Sequence, residues 1–172
     1  MRRAAILLGT IAAALLQPAV ASAQPTDTSV KAAFLPRFVR YVTWPPAMMP
    51  KGSAPFVLCV IGNDPFGQML DQAAASQLID GRHIVVRRLA STAGAGDCQV
   101  AFVGGNRLDE LSDFNGRPVL TVTDGATAGP RGIIHFVVVG GRVRFFIDQA
   151  SAERRRLSIS SRLLALALGV RQ

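Results

Sequence analysis

The feature that most constrains the fold is a series of short apolar runs separated by helix-forming stretches. Runs 55–62 and 98–105 are apolar throughout, which is typical of strands that are covered on both faces of a sheet. Runs 83–90 and 118–124 read as further strands, and helices are predicted between them at about 64–75 and 106–114. Alternation of strands and helices predicts an α/β protein with a mostly parallel sheet.

The C-terminal part has a different pattern. Residues 133–148 form two apolar runs around Gly140-Gly141, which predicts an antiparallel hairpin with a two-residue turn. Asp148 is placed to cap a helix that extends to about Arg156, and an apolar helix is expected from about Ser160. With helices on both faces of the sheet, we expect a three-layer sandwich with an antiparallel C-terminal hairpin.

The first segment of the folded part is a basic amphipathic stretch that ends in Trp44-Pro45-Pro46. One of Thr26, Asp27 and Thr28 is expected to cap this helix, and Pro36 is expected to kink or break it. Its apolar face at helical spacing is predicted to be Val30, Phe34, Phe38, Tyr41 and Val42.

Residues 1–23 have the pattern of a secretory leader. Two arginines precede an apolar run at 4–16, and Ala21-Ser22-Ala23 matches the small-residue pattern at which signal peptidase cleaves. An uncleaved membrane anchor is the alternative interpretation, but the apolar run is short for a span of about 20 residues. We expect cleavage after Ala23, export to the periplasm, and a single domain over 24–172.

Composition narrows the range of partners. The chain is 49% hydrophobic and 17% charged, which is typical of a compact globular protein, and its formal charge is +8. Removal of Arg2 and Arg3 with the leader would leave +6. An exported basic protein has no nucleic acid to bind, so lipid head groups, an acidic protein face or an anionic small molecule are the plausible partners.

Cys59 and Cys98 are the only two cysteines. In an oxidising compartment such a pair suggests a disulfide, although two buried free thiols would also fit the sequence. A metal site is not indicated, because neither cysteine has a Cys or His at ligand spacing.

Enzyme signatures are not found in this sequence. It has neither the G-x-S-x-G nor the H-E-x-x-H pattern, and its two histidines, His83 and His135, fall in predicted strands, where a structural role is the usual one. A hydrolase is therefore the weakest hypothesis, and we expect no catalytic residues. Asn63 and Asp64 follow a strand and precede a helix, where an anion or another small ligand could bind.

The densest charge lies late in the chain. Arg142 and Arg144 alternate with apolar residues in the predicted hairpin, and an arginine-rich stretch begins at Glu153. Exposed arginine beside apolar residues resembles the composition of a protein interface. The predicted partner-binding surface consists of Arg142, Arg144, Glu153, Arg155, Leu157 and Ile159.

Several segments together resemble the YfiR-like family of periplasmic proteins, over about 30–170 and in order. The segments with the most specific motifs are "VKAAFLPRFVRYVTWPP", "CVIGNDPFG" and "LSISSRLLALA". Pro36 departs from the family, which usually has a helix-forming residue at that position.

This resemblance implies a regulator without enzymatic activity or a cofactor. It would be a repressor that binds the periplasmic domain of an inner-membrane diguanylate cyclase, lowers cyclic di-GMP signalling and so restrains biofilm formation. An OmpA-type outer-membrane lipoprotein would sequester it, and it would form a homodimer. The family's disulfide matches Cys59 and Cys98, whereas a second cysteine pair of some members is missing. The alternative function is a periplasmic small-molecule sensor that acts with another membrane receptor.

Overall fold

A computed structural model describes residues 25–125 and 129–172, so the predicted leader lies outside the described residues. The α-helices are α1 Asp27–Arg37, α2 Gln68–Ala75, α3 Gln149–Arg154 and α4 Ser161–Leu164. Further 3-10 helices are Phe38–Tyr41, Pro46–Met48, Thr92–Gly94 and Gly105–Phe114. The strands are β1 Val42–Thr43, β2 Phe56–Ile61, β3 Leu78–Ile79, β4 Arg82–Leu89, β5 Val100–Val103, β6 Leu120–Asp124, β7 Ile134–Val139, β8 Arg142–Asp148, β9 Ser158–Ile159 and β10 Gly169–Arg171.

Eight strands form the main sheet, in the order β10-β8-β7-β6-β5-β2-β4-β3. The five strands from β7 to β4 run parallel, whereas β7–β8 and β3–β4 are antiparallel pairs. β10 pairs with β8 in parallel, and β1 pairs with β9 in a separate two-stranded sheet. This topology confirms the predicted fold class, including the antiparallel hairpin around Gly140 and Gly141. Both glycines have positive φ, as a tight hairpin turn of this kind requires.

The two faces of the sheet bury two separate cores. On one face, strand residues such as Leu58 and Phe102 pack with α1 and α2. On the other face, Ile61 and Val103 pack with Leu111 of the 3-10 helix at 105–114. The helix predicted at 106–114 is confirmed, and it is a 3-10 helix. Within it Arg107 has non-helical backbone angles, and the Asn106 side chain accepts a hydrogen bond from the Asn63 backbone N–H.

The first helix starts as predicted and changes form after Pro36. The Thr26 side chain caps α1 by accepting from the Ser29 backbone N–H, and the chain continues beyond Arg37 as a 3-10 helix. The predicted apolar face was only partly right, because Phe38 is buried but Val30, Phe34 and Tyr41 are only half-buried. Since α1 packs against both α2 and β8, the side chains buried most deeply are Ala32, Leu35, Phe38 and Val39.

Two other helix boundaries were predicted wrongly. α2 begins at Gln68, because Asp64 accepts from the Phe66 and Gly67 backbone N–H groups and so holds a turn ahead of the helix. The expected C-terminal helix has only four residues, and the chain then turns and adds β10 to the sheet. This last strand creates an edge beside the hairpin.

Candidate functional site

The six residues of the predicted partner-binding surface divide into two groups. Arg142 and Arg144 on β8 and Glu153 on α3 are exposed, as a contact surface requires. Leu157 is only 2% exposed and belongs to the core, and Ile159 is half-buried in the pairing of β9 with β1. Leu157 was therefore wrongly assigned to the surface, because sequence alternation cannot show which side of β9 faces the core.

Arg155 also has a structural role. Its guanidinium crosses to β6, donating to the Thr121 hydroxyl at 3.2 Å and lying 3.5 Å from the Val119 carbonyl oxygen. Burial lowers the pKa of Arg155, although the nearby Asp148 carboxylate acts in the opposite direction. Arg155 thus anchors α3 and β9 to the sheet. Substituting Arg155 would disturb the fold, so the variant could not test whether Arg155 contacts a partner.

Charge is distributed unevenly along the described chain. Residues 25–125, here called the neutral region, contain nine basic and nine acidic residues, so their net charge is zero. Residues 129–172, here called the basic region, contain eight arginines and two acids, so their net charge is +6. The whole excess charge of the described residues therefore lies in residues 129–172.

Ion pairs follow the same division. In the neutral region, five of the nine acids form ion pairs: Asp64 and Asp71 with Arg88, Asp97 with Arg87, Glu110 with Arg107, and Asp124 with Lys31. In the basic region the only ion pair among described residues joins Arg171 and Asp148. The exposed arginines left without an ion pair within the described ranges are Arg131, Arg142, Arg144, Arg154, Arg156 and Arg162.

The predicted ligand site at Asn63 and Asp64 lies where the chain reverses direction across the sheet. From β2 the chain crosses first to β4 and then to β5 on the other side, so the carboxyl ends of β2 and β5 border the crevice in which α/β proteins usually bind ligands. Here the crevice is closed. A Cβ atom on Gly104 would lie 2.7 Å from the Asn63 carbonyl oxygen, so the two loops are in direct contact.

Asp64 itself is fully engaged. One carboxylate oxygen accepts from two backbone N–H groups, and the other accepts from Arg88 Nε at 2.8 Å. Burial acts to raise the pKa of Asp64, but these hydrogen bonds outweigh it and lower the pKa. The structure therefore gives no support to a small-molecule site at Asn63 and Asp64.

His135 makes the one close pairing of a histidine with a hydroxyl side chain in the described chain. Its Nε2 lies 2.9 Å from the Gly125 carbonyl oxygen, which can only accept, so Nε2 carries the proton and Nδ1 accepts from the Thr123 hydroxyl at 2.8 Å. Burial lowers the pKa of His135, and the charge of Arg131 lowers it further. Thr123 is fully buried, so this pair connects β6 to Gly125 and presents no nucleophile to a substrate.

Cys59 and Cys98 form a disulfide, which settles the alternatives that the sequence left open. The bridge joins β2 to the segment before β5 and is completely buried in the smaller core. Within residues 25–125 and 129–172, no three His, Cys, Asp or Glu side chains lie together as metal ligands would.

Sequence reasoning missed the edge formed by β10. We interpreted the apolar residues after Ser160 as one helix, but α4 ends at Leu164 and Gly169–Arg171 pair with β8 as a strand. A cleft of about 510 Å³ lies alongside this edge. Its lining includes Arg131, His135, Phe146, Val170 and Arg171.

Fold and surface together define a three-layer α/β protein with a closed crevice and a basic surface beside one edge of its sheet. The model of the YfiR/HmsC-like family matches residues 28–168, and the chain belongs to this family. Membership is consistent with a periplasmic regulatory role. No curated protein has a significant sequence match to the chain. None of the helices within 25–125 and 129–172 is both long and apolar enough to span a bilayer.

Proposed function

We propose that this protein is a periplasmic regulator that binds the periplasmic domain of an inner-membrane diguanylate cyclase and holds it inactive. Family membership supports a regulatory role. The observation that carries the mode of binding is the charge of +6 on residues 129–172, with six exposed arginines that form no ion pair among the described residues. Such a surface is complementary to an acidic protein face.

Inhibition requires that the protein binds the inactive conformation of the cyclase more tightly than the active one, because only differential affinity shifts an equilibrium. Cyclic di-GMP and biofilm formation would fall as a result. An OmpA-type outer-membrane lipoprotein that competed for the same basic surface would release the cyclase. The proposal includes cleavage after Ala23, a single domain over 24–172 and a homodimer, as the family resemblance implies.

The test is the cyclic di-GMP level of cells that lack the gene and are complemented with variants. Deletion should raise cyclic di-GMP, and the wild-type gene should restore the low level. Arg142→Glu/Arg144→Glu should fail to restore it, because both side chains are exposed and the substitution reverses charge in the basic region. No rise on deletion would refute the proposed function.

A matched control variant shows whether repression depends on where the charge is reversed or only on the net charge of the protein. Arg37→Glu/Lys51→Glu makes the same change in charge at two exposed residues of the neutral region. This variant should still repress. If it failed as completely as the hairpin variant, the total charge rather than the basic region would govern binding.

A further inference from the structure

The main sheet has two open edges with different surroundings. β3 forms one edge within the neutral region, and β10 forms the other within the basic region. An edge strand presents unpaired backbone N–H and C=O groups that can bond to another chain. Both edges carry exposed apolar side chains, Leu78 at 52% on β3 and Leu168 at 41% next to β10, so apolar exposure alone does not distinguish them.

What distinguishes the β10 edge is the group of exposed apolar residues in it and beside it. Val170 lies in β10 and is 37% exposed, whereas Leu166 and Leu168 lie in the turn and bend that lead from α4 into the strand and are 57% and 41% exposed. The edge therefore offers backbone hydrogen-bonding groups with exposed apolar side chains next to them.

The charge near the β10 edge determines which kind of segment could bind to it. The Leu168 backbone N–H bonds to the Phe145 carbonyl, so Arg144 on β8 lies immediately before the point where the last segment joins the sheet. Arg171 stands at the other end of β10. The nearby acid, Asp148, is already engaged by Arg171 and Ser151. Burial acts to raise the pKa of Asp148, but these bonds outweigh it and leave the pKa lowered. The start of the edge thus has a positive charge from Arg144, which forms no ion pair among the described residues, whereas Arg171 at its end is already paired with Asp148.

We propose that the β10 edge docks an extended acidic segment of the membrane partner, which adds to the sheet as a further strand. Strand addition uses backbone hydrogen bonds for affinity and alternate side chains for specificity. The apolar residues of the segment would cover Leu166, Leu168 and Val170, and its carboxylates would face Arg142 and Arg144. A second copy of this chain fits less well, because two regions of charge +6 repel each other.

The cleft beside β10 adds to this argument. Val170 and Arg171 line both the edge and the cleft of about 510 Å³. Side chains on one face of an added strand would therefore contact the concave surface of this cleft. The cleft contains apolar residues such as Phe146, and arginines lie at its rim. The inference rests on the proposed function for the identity of the partner.

The experiment measures binding of fluorescein-labelled octapeptides to the mature protein by fluorescence anisotropy. The probe alternates valine and glutamate. Two comparison peptides alternate valine and lysine, or keep valine and glutamate with alternate backbone nitrogens methylated. We expect the acidic peptide to bind and the other two to bind about tenfold more weakly or worse, because they lack the charge or the backbone donors.

Protein variants locate the site. Leu168→Asp should weaken binding of the acidic peptide about tenfold, whereas Leu78→Asp on the opposite edge should leave it unchanged. A thermal unfolding curve for each variant shows whether the fold is retained. Equal binding of the methylated peptide, or equal effects of the two variants, would overturn the inference. So would a concentration-dependent dimer that Leu168→Asp abolishes without peptide, because a second copy would then occupy the edge.

The same variants separate this inference from the proposed function. If Leu168→Asp represses cyclic di-GMP normally while Arg142→Glu/Arg144→Glu does not, the regulator binds through its arginines and the strand-addition mode is wrong. If the acidic peptide binds at the edge but gene deletion leaves cyclic di-GMP unchanged, the docking surface stands and the proposed partner is wrong.

Discussion

The neutral region and the basic region use charge in opposite ways. In residues 25–125, carboxylates and arginines occur in equal number and more than half of the carboxylates are in ion pairs. In residues 129–172, arginines exceed acids by six, and most of them are exposed. In the neutral region many charged groups form ion pairs within the fold, whereas in the basic region most arginines are exposed and form no ion pair among the described residues.

The neutral region also contains the internal crosslinks. The disulfide crosslinks β2 to the segment before β5, and the contact between Gly104 and Asn63 closes the crevice at which α/β proteins usually bind ligands. The basic region ends in an open sheet edge instead. On the proposed function, a fold shared with many ligand-binding proteins would serve as a stable support for a surface that binds another protein. Three sets of substitutions test this division.

Breaking the disulfide should have the largest effect. Cys59→Ala/Cys98→Ala should lower the free energy of unfolding by about 4 kcal/mol, because the bridge closes a loop with a sequence separation of 39 residues. Denaturant unfolding followed by circular dichroism measures this loss. Reductant should destabilise the wild type by a similar amount and leave the double variant unchanged. A loss below about 1 kcal/mol would mean that packing, rather than the crosslink, holds the smaller core.

Removing one partner of the Lys31–Asp124 pair should have the next largest effect. The Lys31 ammonium lies 2.8 and 2.9 Å from the two carboxylate oxygens, and the Lys31 side chain is only 10% exposed. Asp124→Ala leaves that ammonium buried without its partner, so we expect a loss of about 3 kcal/mol in urea unfolding.

The double variant Lys31→Met/Asp124→Leu is the control for this pair. Replacing both charges with apolar side chains leaves no unpaired charge, so most of the lost stability should return. If the double variant were as unstable as Asp124→Ala alone, the loss would come from packing at the end of β6 and not from the buried charge.

The smallest effect compares the same substitution in the two regions. Arg88→Gln removes the partner of Asp64 and Asp71, whose pKa values are lowered in the folded state, and should cost about 0.5–1 kcal/mol at pH 7 since Arg88 is partly exposed. Arg144→Gln breaks no ion pair among the described residues and should change stability by less than about 0.5 kcal/mol.

The pH dependence has a definite sign. A carboxylate with a lowered folded-state pKa contributes stability above its unfolded pKa of about 4, and this contribution is lost as the pH falls through the lower, folded-state value. The difference between the wild type and Arg88→Gln should therefore disappear in acid, while the small difference for Arg144→Gln should stay constant. A constant difference for Arg88→Gln would show that Asp64 and Asp71 do not depend on Arg88.

Local patterns predicted the elements of this fold well where one principle dominated. The apolar run at 55–62, the turn at Gly140 and Gly141, and the Asp148 cap of α3 all appear as expected, because each depends on neighbours along the chain. Predictions failed where a distant contact competed with a local one. The helix expected from about Ser160 ends at Leu164, and Gly169–Arg171 pair with β8 instead of continuing it.

The sequence by itself determined the fold class, the hairpin, the excess of arginine in the last third and the presence of one cysteine pair. The fold class and the hairpin follow from the order of neighbouring residues. The excess of arginine and the cysteine pair follow from residue counts alone. Only the tertiary structure decided that the two cysteines are bonded, that Leu157 is buried and Arg142 exposed, and that β10 forms an open edge. Each of these depends on which strands become neighbours, and that choice is made by packing between segments that lie far apart in the chain.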